Sequence, residues 1–115
     1  MLSLFEKNED LFTSWFVLRY EREGDSYLLQ IGAILHDGSR LELRDYLFAD
    51  GSRKYAYQWM EADGTLRQRW DNAPHWPKLA TNPHHTHLPD REIPESSTIT
   101  NIKDFLVYLR ARLNK

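Results

Sequence analysis

Arg40–Met60 reads RLELRDYLFADGSRKYAYQWM, and this stretch decides the fold. Leu41, Leu43 and Leu47 alternate with Glu42, Arg44, Tyr46 and Phe48, while Tyr55, Tyr57 and Trp59 alternate with Lys54, Ala56, Gln58 and Met60. Period-two alternation marks strands with one face turned to a core. Between the two runs stands Asp50-Gly51, a dipeptide that accepts the positive φ of a tight hairpin. The stretch is predicted to be two antiparallel strands.

Outward from it the same punctuation recurs. Asp37-Gly38 and Asp63-Gly64 each lie 13 residues from Asp50-Gly51, and Gly24-Asp25 marks an earlier turn. Strands are predicted over Thr13–Glu21, Ser26–Leu35, Arg40–Ala49, Lys54–Ala62 and Thr65–Asp71. The segments share their turns and little else, so they form a β-meander and not a sequence repeat. With two-residue loops at the Asp-Gly turns, Asp45 faces Ala56 and Gln58 faces Arg69. Asp45, Gln58, Arg67, Arg69 and Asp71 then share one face, with Lys54 at its edge, and Tyr55, Tyr57, Trp59 and Trp70 share the other. A one-residue change in any loop inverts part of that arrangement.

After Asp71 the alternation stops. Pro74, Pro77, Pro83, Pro89 and Pro94 argue against a regular helix or an inner strand there. Beyond Ser96, Ile102, Phe105, Leu106, Leu109 and Leu113 return at helical spacing, with Thr98 or Thr100 as the expected cap. Arg110, Arg112 and Lys115 stand near the end of that helix, where cations suit its dipole. A shorter helical stretch is expected within Leu4–Phe12. The expected architecture is one α+β domain over residues 1–115: an antiparallel meander of about five strands, a C-terminal helix and a Pro/His-rich loop.

The chain has 115 residues, 41% hydrophobic and 28% charged, enough for a modest core. A net charge of −2 excludes a global basic field, so any nucleic-acid contact must come from local arginines. The absence of cysteine removes disulfides, thiolate metal sites and cysteine nucleophiles together. Glu6, Lys7, Glu9 and Asp10 in the first ten residues do not suit a signal peptide, and no apolar run approaches the roughly 18 residues of a membrane helix. A cytoplasmic protein without membrane contact is expected; homo-oligomerisation is compatible with the sequence.

Four of the five histidines, His75, His84, His85 and His87, lie in the proline-rich segment downstream of Asp71. Imidazole titrates near neutrality and also ligates metals, so three readings stand side by side. In the first, the histidines and Asp71 hold zinc, nickel or copper for a metal-dependent hydrolase, although their spacing matches no strong metal motif. In the second, one histidine takes the 2′-hydroxyl proton of RNA and another protonates the leaving oxygen, with Arg67 or Arg69 on the phosphate and Asp71 orienting a ring. This reading calls for no metal or cofactor. In the third, the segment is a rigid loop, Asp71-Asn72 is an Asx-turn, and the protein is a non-enzymatic module that binds protein or RNA. Arg40, Arg44, Arg53, Lys54, Arg67 and Arg69 on successive strands, near Tyr55, Tyr57 and Trp59, would suit single-stranded RNA.

Leu41-Glu42-Leu43-Arg44-Asp45-Tyr46, Tyr57-Gln58-Trp59, Asp63-Gly64, Arg69-Trp70-Asp71-Asn72-Ala73-Pro74-His75 and Pro83-His84-His85-Thr86-His87 together resemble the TumE family of toxin–antitoxin proteins. The resemblance covers roughly residues 13–90. It implies a toxin whose partner is an antitoxin, often a helix-turn-helix protein, and by analogy with other small toxins an action on RNA. The matching positions are Arg44, Asp71, Asn72, Pro74, His75, Pro83, His84, His85 and His87. Trp76 stands where the family pattern leads one to expect a second histidine, and Asn82 where an aromatic is common. The site expected from residues and resemblance together has Asp71, His75, His84, His85 and His87 for proton transfer and Arg44, Arg67, Arg69 and Asn72 for substrate.

Overall fold

The structure is a computed structural model that describes residues 2–113; Lys115, read above as part of the helix end, lies outside the described residues. Helix α1 (Leu2–Lys7) and a 3-10 turn (Glu9–Leu11) lead into β1 (Phe12–Glu23). Strands β2 (Ser26–Leu35), β3 (Arg40–Leu47), β4 (Arg53–Met60), β5 (Leu66–Asp71), β6 (His85–His87) and β7 (Glu95–Ser96) follow, and α2 (Ile102–Leu113) closes the chain. The strands pair in sequence order as one antiparallel sheet.

The α+β meander with its C-terminal helix and short N-terminal helix is as expected, but the sheet has seven strands, not about five. The two additional strands are short and lie in the proline-rich segment. His85, Thr86 and His87 form a proline-free triplet, so β6 donates its ladder hydrogen bonds and sits between β5 and β7 as an inner strand. Prolines exclude a strand only where they stand.

The three Asp-Gly turns share one geometry. In each, the residue two before Asp and the residue after Gly close the loop by backbone hydrogen bonds: Leu35 with Ser39, Phe48 with Ser52, and Glu61 with Thr65. The Asp carboxylate accepts the N–H of that Ser or Thr at 2.9 Å, and each Gly has φ between 86° and 90°. These are three-residue loops with a left-handed glycine, one residue longer than the two-residue loops expected. The extra residue moves the β3–β4 register by one. Asp45 therefore faces Tyr55, not Ala56, and Arg44 takes the position opposite Ala56.

Between β4 and β5 a bulge restores the expected pairing. Arg67 and Gln68 both oppose Trp59, after which Gln58 pairs with Arg69. The same bulge turns Arg67 onto the Trp59 side, away from Arg69.

One face of the sheet packs against both helices. Phe105 meets Tyr57 and Trp70 at ring-centroid distances of 5.3 and 5.1 Å, and Phe5 of α1 stacks on Phe12 at 5.8 Å. Leu29, Ile31, Leu41 and Leu43 complete this core from the sheet. Asp45 is buried on the same face, where Tyr57 and Tyr27 donate hydroxyl hydrogen bonds to it and the Arg53 guanidinium pairs with it at 3.0 Å. Arg53 also donates to the Thr100 carbonyl at the start of α2. Asn101, not Thr98 or Thr100, caps α2, its Oδ1 accepting the Asp104 N–H at 2.9 Å. No described helix is long and apolar enough to cross a membrane.

Candidate functional site

Among the described residues the other face of the sheet carries no helix, and its polar side chains fall in two adjacent rows that run across the strands. Register partners Gln30, Arg44, Ala56, Asp71 and His85 form one row from β2 to β6. Phe16, Gly32, Glu42, Gln58, Arg69 and His87 form the next, from β1 to β6. The meander is what aligns them, since each strand contributes one residue per row.

Both rows reach β6. There His85 Nε2 lies 2.9 Å from Asp71 Oδ1, His87 Nε2 lies 3.6 Å from Oδ2, and Arg69 donates through Nε to Oδ2 at 3.0 Å. The two imidazoles meet edge to face with centroids 4.8 Å apart. Asp71 also accepts the Ala73 N–H, the Asx-turn read from Asp71-Asn72. The Pro83 carbonyl, which can only accept, lies 2.9 Å from His85 Nδ1. Nδ1 is therefore the donor in this contact, and Nε2 is turned toward the carboxylate.

Solvent access divides the cluster. The side chains of Asp71 and His85 are 5% and 2% exposed, whereas those of His87 and Arg69 are 28% and 42% exposed. Desolvation pushes the His87 imidazole below its ordinary pKa; Asp71 acts in the opposite direction, while His85 and Arg69 add to the lowering. His87 therefore presents a neutral ring at neutral pH. A groove of about 290 Å³ begins at Arg69 and passes Gln58, Arg44, Glu42 and Gln30 to Leu18, an extra residue bulged out of β1. One ring nitrogen each of His85 and His87 and an Asp71 oxygen lie within 4.8 Å of one another, a set able to hold a divalent metal with nitrogen and oxygen preference. The Arg69 guanidinium on the same carboxylate competes with a cation there.

The remaining expected site residues lie elsewhere. His84 projects to the helix face, where its Nδ1 is 2.9 Å from the Tyr55 hydroxyl and its ring stacks on Tyr55. Burial lowers its pKa, assisted by Arg53 and His85. His75 is exposed, and no hydrogen bond or ion pair joins its ring to the cluster among the described residues. Asn72 prolongs the β4–β5 pairing with its side chain: Oδ1 accepts the Tyr55 N–H at 3.0 Å and Nδ2 donates to the Arg53 carbonyl at 2.9 Å. Arg67 is taken up by Glu61 and Asp37, with its guanidinium 4.6 Å from the Trp59 ring centroid. Glu42 and Phe16 are brought to the row without having been expected. Gly32, a glycine inside an apolar strand, was the signal that something approaches the sheet there.

A family model described as toxin TumE matches residues 1–113, nearly the whole chain. No curated protein and no solved structure matches.

Proposed function

The chain belongs to the TumE toxin family, and from that premise we propose that it is a ribonuclease whose proton-transfer group is His87. One observation supports this most: a buried carboxylate–imidazole pair stands directly behind one accessible imidazole and one accessible guanidinium. His85 and Asp71 position; His87 and Arg69 touch substrate. With Nε2 facing Asp71, the His87 Nδ1 takes the 2′-hydroxyl proton, as in a carboxylate-oriented base. The freed 2′-oxygen attacks phosphorus, the bond from phosphorus to the 5′-oxygen breaks, that oxygen leaves with a proton from water, and the hydroxide so formed takes the proton from His87. The products are a 2′,3′-cyclic phosphate and a 5′-hydroxyl. Arg69 offsets the charge that builds on the phosphoryl oxygens, and Arg44, exposed along the groove, holds a neighbouring phosphate.

Growth arrest on expression, repeated with the His85→Ala/His87→Ala double variant, tests the reading. Loss of toxicity is expected; full toxicity of the double variant would refute the histidine mechanism. Chelator-treated, metal-free protein separates this chemistry from a hydrolase that uses a metal at Asp71, His85 and His87. Retained cleavage is expected, and its loss with recovery on adding zinc would establish the metal reading. Family membership implies a cognate antitoxin. Our reading makes that partner a helix-turn-helix protein encoded beside the toxin, and rescue by co-expression of the neighbouring gene tests it.

A further inference from the structure

The proposed chemistry uses only one end of the row from Phe16 to His87. Glu42 stands three strands from His87, roughly 14 Å at ordinary strand spacing. Its carboxylate is exposed and lines the groove, and no ion pair or side-chain hydrogen bond joins it to another described residue. Beside it, Gly32 is buried in mid-strand, and the Phe16 ring occupies the space a side chain would need. A Cβ built on Gly32 would stand 2.6 Å from Phe16 Cε2 and 2.8 Å from Cζ. The ring lies against the sheet next to Glu42 yet remains 47% exposed.

An aromatic surface beside an unpaired carboxylate, the carboxylate lining a groove that also holds the exposed Arg44, has the chemistry of a nucleobase pocket. We propose that Phe16 and Glu42 form a subsite that selects guanine in single-stranded RNA, an assignment that rests on the ribonuclease reading. Single strands expose the Watson–Crick edges of their bases. On that edge guanine alone presents two adjacent donors, N1–H and the N2 amino group, which match the two oxygens of one carboxylate. Adenine and cytosine place a ring acceptor beside their amino group, which a carboxylate repels. Uracil has a single N–H between two carbonyls. Bidentate acceptance by Glu42 therefore fits one base, and Phe16 supplies a stacking surface for it. Arg44, one residue pair away on β3, takes the phosphate between this base and the scissile bond.

The test is equilibrium binding of the full chain carrying His87→Ala, which keeps RNA intact, to the pentaribonucleotides UUGUU, UUAUU, UUCUU and UUUUU. We expect UUGUU to bind about tenfold more tightly than the others. Adding Glu42→Gln should bring it to their level, and adding Phe16→Ala should weaken UUGUU by roughly fivefold or more. Equal affinity for all four would overturn the subsite and leave the ribonuclease reading standing. Affinity for none would overturn both. A guanine preference that survives Glu42→Gln would overturn the role of that residue.

Discussion

Two neighbouring imidazoles, His85 and His87, have different duties because burial separates them. His85 is enclosed, with Pro83 on one ring nitrogen and Asp71 on the other, so its replacement removes one partner of a buried carboxylate and opens a cavity beside it. His85→Ala should cost about 2 kcal/mol or more, read from urea unfolding. His87 meets Asp71 at 3.6 Å and the edge of the His85 ring, and it is the more exposed of the two histidines, beside Arg69 at the end of the groove. His87→Ala should abolish toxicity and RNA cleavage with little change in unfolding midpoint; a loss of stability equal to that of His85→Ala would contradict the division. The pH dependence follows from the lowered pKa of His87. A base must be unprotonated, so the cleavage rate should rise with pH along a limb whose midpoint lies below the ordinary 6.5. A rate–pH profile in the presence of chelator measures it, and a midpoint well above 6.5 would be incompatible with His87 as the base.

At the scale of elements, the turns govern which residues meet. The alternation in Arg40–Met60 shows both strands plainly, but the loop between them differs from expectation by one residue, and period-two geometry converts that into a change of face for Asp45. The dipeptide Asp-Gly suits both loop lengths; the Ser or Thr that follows it, bonded to the Asp carboxylate, belongs to the longer one. Arg67 was misplaced for a related reason, since a bulge leaves no mark in hydrophobic periodicity. His84 and His85 are adjacent, and adjacent residues at a strand entrance project to opposite faces, which no composition argument reveals. What was legible was the grouping of Asp71 with His85 and His87, because these residues stand at a strand end and in a short segment forced back beside it. The glycine turns give a direct check. Gly51 has φ 86° and open space around its α-carbon, so Gly51→Ala meets backbone strain without a steric clash. It should destabilise the fold by about 1 kcal/mol, and Gly51→Asn by less, because Asn tolerates the left-handed region.

For the whole molecule, the sheet is a partition with helices on one side and the proposed chemistry on the other, and the entrance and the end of β6 place a titrating histidine on each side. His84 stacks on Tyr55 over the core and His87 lines the open face. Burial lowers the pKa of both, so the unfolded chain, with ordinary imidazoles, binds more protons than the folded one over the interval from their folded values up to about 6.5. Stability must then rise with pH through that interval and level off above it. Protonating either ring inside the fold costs free energy that the unfolded chain does not incur. Each histidine can contribute at most about 1.4 kcal/mol per pH unit to the slope. Urea unfolding between pH 7.5 and 5 should show stability falling below 6.5, and His84→Gln should remove part of that fall without affecting cleavage at neutral pH. A stability that is flat across this range, or one that rises on acidification, would contradict neutral His84 and His87 on the two faces of the sheet.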